Sequence, residues 1–442
     1  METYQFSQVH KATAVAFSPG STFIATAVQD QVIVRSSSSL QAVKTWVCSP
    51  PPEPVASTSR RAEAVATVDH LSWSSGGSRI LAFSTKGSCA WVFDLSEADE
   101  VCRLTGDLVK VEWGGDDVLS WSDRGLAIHD LSTGSSRFIQ SIQTGSSQAH
   151  TWSPDHRYLA VLERHYGKDY VGVYDRESLA RNFPLPSGEP RGIAWSPCGK
   201  WLAVWDWHLS YAIHFYSPVG AHLSTFTSTT EYDHAPGIRT VAWAPNGRHV
   251  AVGSTEGSVT VIESESWKSI ATLRMYGRDS PPTWHEPAPT GSRAVGITQF
   301  YSGQPASQHG PVTVLGFSPD GTLLFFGQEN LLHIYEFLVD ATSAHPDMAP
   351  AASISFNNQL KAVQCCPTTN RLAMVTRNRS LYLWDRLGVE GVDIPDSADF
   401  VAVDVQWSPD GHSAVVCDRQ AFCIVYEDVP DGDNRWEEEG GL

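Results

Sequence analysis

None of the short motifs that carry chemistry occurs in these 442 residues: no G-x-S-x-G elbow, no P-loop, no G-x-G-x-x-G and no H-E-x-x-H. The chain is therefore not expected to be an enzyme or to hold a cofactor, and no catalytic residue is assigned. The 16 histidines include no i, i+2 or i, i+4 pair flanked by acids, so lone ones such as His165, His208 and His214 read as surface or strand residues. The 8 cysteines (Cys48, Cys89, Cys102, Cys198, Cys365, Cys366, Cys417, Cys423) include no C-x-x-C pair, which leaves no metal site and reads as reduced core. No run of eighteen apolar residues and no charged-then-apolar leader is present, so an intracellular, cytoplasmic chain without a membrane span is expected. In that setting the sequon Asn378-Arg379-Ser380 carries no glycosylation meaning. Basic charge is also scarce: 31 Lys and Arg stand against 49 Asp and Glu, a net −18, which argues against a broad nucleic-acid or anionic-membrane surface.

What the chain has instead is repetition. A short apolar strand ends on an aromatic residue, a tight turn follows, and a second apolar strand begins. The clearest copies are Val241 to Arg248 (VAWAPNGR), Ile193 to Lys200 (IAWSPCGK), Leu315 to Thr322 (LGFSPDGT) and Val405 to His412 (VQWSPDGH). The anchors are Phe17, Trp73, Trp113, Trp152, Trp195, Trp243, Phe317, Cys365 and Trp407, spaced by 56, 40, 39, 43, 48, 74, 48 and 42 residues. At the eighth copy Cys365-Cys366 replaces Trp-Ser, a degenerate turn. Four strands fit each period, and a period near forty with four strands implies an all-β fold, a single closed β-propeller. The 34 glycines, 26 prolines and 16 tryptophans agree with many tight turns and bulky aromatics between blades.

The repeats place blades one to nine near residues 11, 66, 108, 146, 190, 237, 310, 360 and 401, within a propeller over 1–427. The ninth copy lacks a fourth strand, while the N-terminal stretch TYQFSQVH is surplus; donating it would close the ring and leave no open sheet edge. Nine blades follow, with eight, or seven plus an appended lobe, as alternatives if repeats two, three or eight are distorted. Among the endings of strand c, Leu383-Trp384-Asp385 is the one full Trp-Asp, and Asp94, Asp130 and Asp175 keep the acid alone. Aromatic packing must then carry more of the stability than buried polar networks do. Residues 428–442 form an acidic tail that reads as disordered: Glu427 to Leu442 holds seven acids against Arg435, with Trp436 as the centre of an alternative docking peptide.

Two connections between the fourth strand of one blade and the first of the next are long. Cys48 to Val65 and Met275 to His309 are rich in Pro, Ser and Gly, the composition of a mobile linker. With strands lettered a to d from the inside, d–a and b–c loops share one face, and a–b turns lie on the other. Binding is assigned to the d–a/b–c face. Its candidate partner-binding residues are Tyr166, Lys168, Asp169 and Tyr170 in the b–c loop of blade four, and Trp205, Trp207, His208 and Tyr211 in that of blade five. Trp284 and His285, on the second long connection, are expected to fold over the same region. Aromatic bodies with polar tips are the mix found in protein-binding hot spots. The alternative is that these aromatics pack between blades.

The phrases YLAVLER, KDYVGVYD, GIAWSPCGKWLAVWD, YSPVGAHLSTF and GIRTVAWAPNGRHVAVGSTEGSVTVIESESWK carry more than propeller geometry requires. They resemble the WD repeat-containing protein 8 family of centrosomal and spindle-pole WD-repeat proteins, and the match reads as a fungal member. The opening AFSPGSTFIATAVQDQVIVRSSSSLQ and the endings SLYLWD and AFCIVYE extend it over most of the chain, whereas the two long connections do not match. The resemblance implies a non-catalytic scaffold at the microtubule-organising centre, a spindle pole body or centrosome. It would bind a coiled-coil spindle-anchoring protein and, with a minus-end-directed kinesin, anchor microtubule minus ends in mitosis. The alternative is an RNA-associated propeller of the translation-initiation type, against which the acidic balance counts.

Overall fold

In the computed structural model the described residues are 4–49, 67–140, 142, 148–175, 179–185, 190–206, 211–227, 237–274, 283–287, 297–299, 301–303, 310–338, 347–394 and 400–427. Among them every regular element is a strand, and the strands form nine sheets arranged as nine blades. The inner strands a are Ala14–Phe17, His70–Trp73, Leu108–Gly114, His150–Trp152, Pro190–Trp195, Ile238–Trp243, Val314–Phe317, Ala362–Cys365 and Asp404–Trp407. The repeat anchors sit at or next to the end of each. Along the inner strands of blades six to nine lies a cavity of about 560 Å³, lined by residues such as Thr240, Val314, Lys361, Gln364 and Gln406.

Ring closure follows the expected exchange. Tyr4–Phe6 pairs antiparallel with Ala421–Glu427, the c strand of blade nine, in the register Tyr4↔Glu427. Arg371 of blade eight locks the junction, its guanidinium meeting Glu427 at 2.6 Å and donating to the Tyr4 hydroxyl at 2.7 Å. The hydrophobic core is correspondingly divided. Each cluster of buried side chains joins two successive blades, from blades one and two (Val34, Trp46, Trp91) round to blades nine and one (Val15, Ile24, Val415, Phe422). Burial therefore closes the circle as the hydrogen bonding does, and each blade is stabilised only by its neighbours.

The turns after strand a explain their own sequence. In blade seven Ser318 is fully buried; its Oγ accepts from Leu323 N at 2.9 Å and donates to Asp320 at 2.5 Å, while Gly321 N returns to Ser318 O. Ser18, Ser74, Ser153, Ser196 and Ser408 accept the same backbone N–H five residues on. Three of the anchor tryptophans tie one blade to the previous one: Trp73 Nε1 donates to Ala16 O, Trp113 Nε1 to Ser72 O and Trp407 Nε1 to Gln364 O. The acids at strand-c ends serve the next turn locally, as where Asp385 accepts from Leu387 N and Gly388 N.

The connection over 275–309 departs from expectation. Its described parts are not a linker: Thr283–His285 pairs parallel with the d strand of blade seven (Asp347–Ser355) and antiparallel with Tyr301–Gly303. Ile297–Gln299 pairs with the d strand of blade eight, Gly388–Asp393. Backbone groups at the outer rims of two blades are thereby paired. Residues 50–66, most of the other long connection, and the tail 428–442 lie outside the described residues.

Candidate functional site

The b–c hairpin of blade four joins Leu159–His165 to Lys168–Tyr174, and the pair His165↔Lys168 leaves a two-residue loop, Tyr166–Gly167. Both loop residues have positive φ, +52° and +76°. Such a loop favours Asn-Gly, and a bulky side chain in that conformation is strained. Tyr166 is nevertheless fully exposed. Below the tip, Arg164 grips Asp169 with two bonds of 2.8 and 3.0 Å, and the His165 ring lies edge-on to Tyr170. Deeper still, Glu163 is buried and takes His165 Nε2 at 2.7 Å, Asn182 Nδ2 at 3.0 Å and the Tyr174 hydroxyl. Burial first, then the Glu163 carboxylate, pushes the Tyr174 phenol well above its ordinary range. The hairpin is thus held rigidly from beneath while Tyr166 and Lys168 face water.

Blade five corrects the expectation of a second aromatic loop. Trp205 and Tyr211 are buried between blades five and six, with Phe215, Ile238 and Val252. Gly192 makes room for the Trp205 indole, since a Cβ there would fall 2.3 Å from it. Tyr211 donates to Thr260 Oγ1 of blade six at 3.1 Å, so its polar tip is used inside the ring. These two side chains hold blades together and are not available to a partner. Trp207 and His208 lie outside the described residues.

Trp284 and His285 do not fold over blades four and five. They lie at the outer edge of blade seven, where Trp284 packs against the core between blades seven and eight. Their neighbour Glu286, absent from the expected set, is the buried lock of this segment. It accepts from the Tyr382 hydroxyl of blade eight at 2.5 Å and from Asn357 N at 2.8 Å. Nothing in its spacing marks it in the sequence, because the partners come from 71 and 96 residues away. Among the described residues no group of three or more His, Cys, Asp or Glu is placed to hold a metal. All the cysteines are free; Cys198, expected in the core, is exposed in the blade-five turn.

A ring of four-stranded blades offering a rigid, exposed hairpin defines a WD40-type β-propeller, a fold typically used as a scaffold for protein interactions. Direct comparison agrees. The WD40 repeat (WD domain, G-beta repeat) matches residues 223–263, from strand d of blade five through strand c of blade six. The chain is similar to WD repeat-containing protein WRAP73 of Mus musculus, with 24% identity over 95% of each chain. A stretch covering 41% of the chain and 40% of the relative is 23% identical to an uncharacterized WD repeat-containing protein of Schizosaccharomyces pombe. Among solved structures it superposes on the C-terminal WD40 domain of Sif2 with TM-score 0.52 and 13% identity, covering 95% of this chain and 98% of that one. The fold is also shared with Chaetomium thermophilum Sqt1 bound to the N-terminus of the ribosomal protein L10, at TM-score 0.50 and 14% identity over 94% and 96% of the two chains.

Proposed function

We propose that this propeller is a non-catalytic adaptor at a microtubule-organising centre, spindle pole body or centrosome. In this reading it binds a coiled-coil spindle-anchoring protein and, directly or through it, a minus-end-directed kinesin, so that microtubule minus ends are held in mitosis. Similarity to WRAP73 along nearly the whole chain supports the choice of relatives, and the quoted family phrases support the setting. The observation that carries the docking site is Tyr166, a fully exposed aromatic held in a strained backbone conformation on a rigid hairpin. Strain of this kind persists where the side chain is needed for contact.

The substitution Tyr166→Asn separates docking from folding, because Asn suits the turn better than Tyr. Combined with Lys168→Ala, it is expected to leave thermal stability at or above that of the parent and to abolish co-purification of the coiled-coil partner from mitotic cells. Full co-purification by the stable double variant would remove the hairpin as the docking site.

A further inference from the structure

The inner rim of the face that carries Tyr166 is basic on one side only. Strand a starts from that face, and the residue four places before each repeat anchor stands at or just before its start. In blades three, five and six this residue is the extra one of a bulge. The pairs run Leu108↔Ser122 then Lys110↔Trp121, Pro190↔Asp206 then Gly192↔Trp205, and Ile238↔Ser254 then Thr240↔Gly253. A bulge takes its extra residue out of the ladder and re-aims the side chain. Val109, the copy in blade three, is 54% exposed although apolar, so the position opens to water. Blades five and six place Arg191 and Arg239 there, and blade eight has Lys361 at the same point of the repeat. Blades one to four have Thr13, Asp69, Val109 and Gln148 instead, blade seven Thr313 and blade nine Val403.

Two of these cations keep an uncompensated charge. Arg239 is exposed and makes no ion pair among the described residues. Lys361 donates to the neutral Gln359 amide at 2.5 Å. Arg191 is half-buried and has a partner within the chain. The cavity along the inner strands of blades six to nine opens beside them, with Gln148, Thr313 and Lys361 at the start of their strands and Gln364 and Gln406 further in. Gln364 accepts from Trp407 N through Oε1 at 2.5 Å, which leaves its NH2 group to donate. The one carboxylate of the lining, Asp404, is engaged on its own strand by Val405 N at 2.9 Å and Gln406 Nε2 at 3.5 Å. Glu256 and Glu329 stand in the b–c hairpins of blades six and seven, one hairpin further from the axis. An anion is therefore favoured at the inner rim and opposed outside it.

From this arc of charge and the amide-lined cavity beside it we infer that the inner rim of blades five to eight receives an extended, acidic segment of a partner protein, a run of Asp and Glu residues. The cations stand on separate blades, so they match carboxylates spaced along a chain; a single phosphate would need them to converge. Guanidinium groups bond carboxylates with paired N–H groups, and the neighbouring amides suit peptide backbone. In a chain of net charge −18 such a segment is repelled from most of the surface, which confines it to the arc. The site shares a face with Tyr166 but does not rest on the function proposed above.

The test titrates the full chain into a fluorescein-labelled peptide of alternating Glu and Ser at low salt and reads fluorescence anisotropy, with a Gln/Ser peptide as control. Saturable binding of the Glu peptide alone is expected, weakening as salt is added. Arg239→Gln, at an exposed position, is expected to weaken it about tenfold, the scale of one close charge pair, and Lys361→Gln to act in the same direction. Arg124→Gln, which removes an exposed cation from the b–c hairpin of blade three, is expected to leave affinity unchanged. The inference is overturned if the Glu peptide does not saturate up to roughly 1 mM, or if the Gln peptide binds as well. Equal losses from Arg124→Gln and Arg239→Gln would replace the arc by diffuse attraction and overturn it too. Binding that appears only after Glu437, Glu438 and Glu439 are changed to Gln would assign the arc to the chain's own acidic tail, not to a partner.

Discussion

The two faces of the ring solve different problems with the same blades. On the a–b face six of the nine turns share one device, a buried serine that accepts the backbone N–H five residues on, most carry a residue at positive φ, and at most junctions they brace one another around the circle. On the b–c/d–a face no such repeat exists: blade four ends in an exposed tyrosine, blade five turns its aromatics inward, and the connection into blade seven runs out to the rim. Uniform turns contribute stability to a neighbour, so each is constrained by two blades. A loop that touches only its own blade is free to vary, and recognition can be placed there. Blade three departs from this pattern: its strands pair Gly114↔Asp117, the turn contracts to Gly115–Asp116, and a cavity of about 560 Å³ opens between the turns of blades two and four.

If that contrast is right, the largest stability effects lie in the turns. Gly247→Ala would place a Cβ 2.7 Å from Cys198 Sγ at a backbone φ of +69°. The strained conformation and the clash together should cost about 3 kcal/mol in denaturant unfolding. The same change at Gly321, where the nearest atom is 3.6 Å away, should cost only the conformational part, about 1 kcal/mol. Equal losses at the two positions would mean that the turns do not brace each other.

Ser318→Ala comes next. It leaves Leu323 N without its buried acceptor and removes one of the donors to Asp320, and a loss of about 2 kcal/mol is expected. A loss near zero by the same measurement would make the serine bracket incidental.

Asp320 gives a pH-dependent version of the test. Burial opposes its ionisation, but bonds from Ser318 Oγ, Thr322 N, Asn370 and Thr322 Oγ win and bring its pKa down to about 2. The folded value lies below the unfolded one, so the carboxylate contributes stability that is full above about pH 4 and is lost as pH falls toward 2. Asp320→Asn should therefore be less stable than the parent at pH 6, with the gap closing in acid-unfolding curves between about pH 4 and 2. A gap that stays constant over that range would assign the loss to geometry alone.

The smallest effect is expected on the other face. Tyr166→Asn relieves a strained turn and should be neutral or stabilising by less than about 1 kcal/mol in thermal unfolding, whatever it does to binding. A marked destabilisation would make Tyr166 a structural residue and erase the contrast between the faces.

Much of the architecture was legible because it is written in short-range terms. An aromatic at the end of strand a, a serine and a glycine after it, and two apolar runs report a blade wherever they occur. Even Cys365-Cys366 could be recognised as the same turn with other side chains, and TYQFSQVH as the strand that blade nine lacks. The site was less legible. Trp205 lies on Leu202–Asp206, a strand whose every residue is buried, so alternation could not separate inward from outward side chains. Central strands of a propeller are covered on both faces by adjacent blades, and the period-2 signal disappears there. Trp284 was misplaced for another reason: a Pro-rich stretch has the composition of a linker, and its pairing with the rim of blade seven is made by backbone atoms.

By itself the sequence determined the repeat with its nine turns, the closure of the ring by its two ends and the chemistry of the a–b turns, since each depends on residues within one repeat or on the chain's termini. Only the tertiary structure decided which aromatics remain in water, where the 275–309 connection docks and that a contracted turn in blade three opens a cavity. Those outcomes depend on what the neighbouring blade supplies: a glycine that admits Trp205, a tyrosine that binds Glu286, or a turn too short to reach the next one.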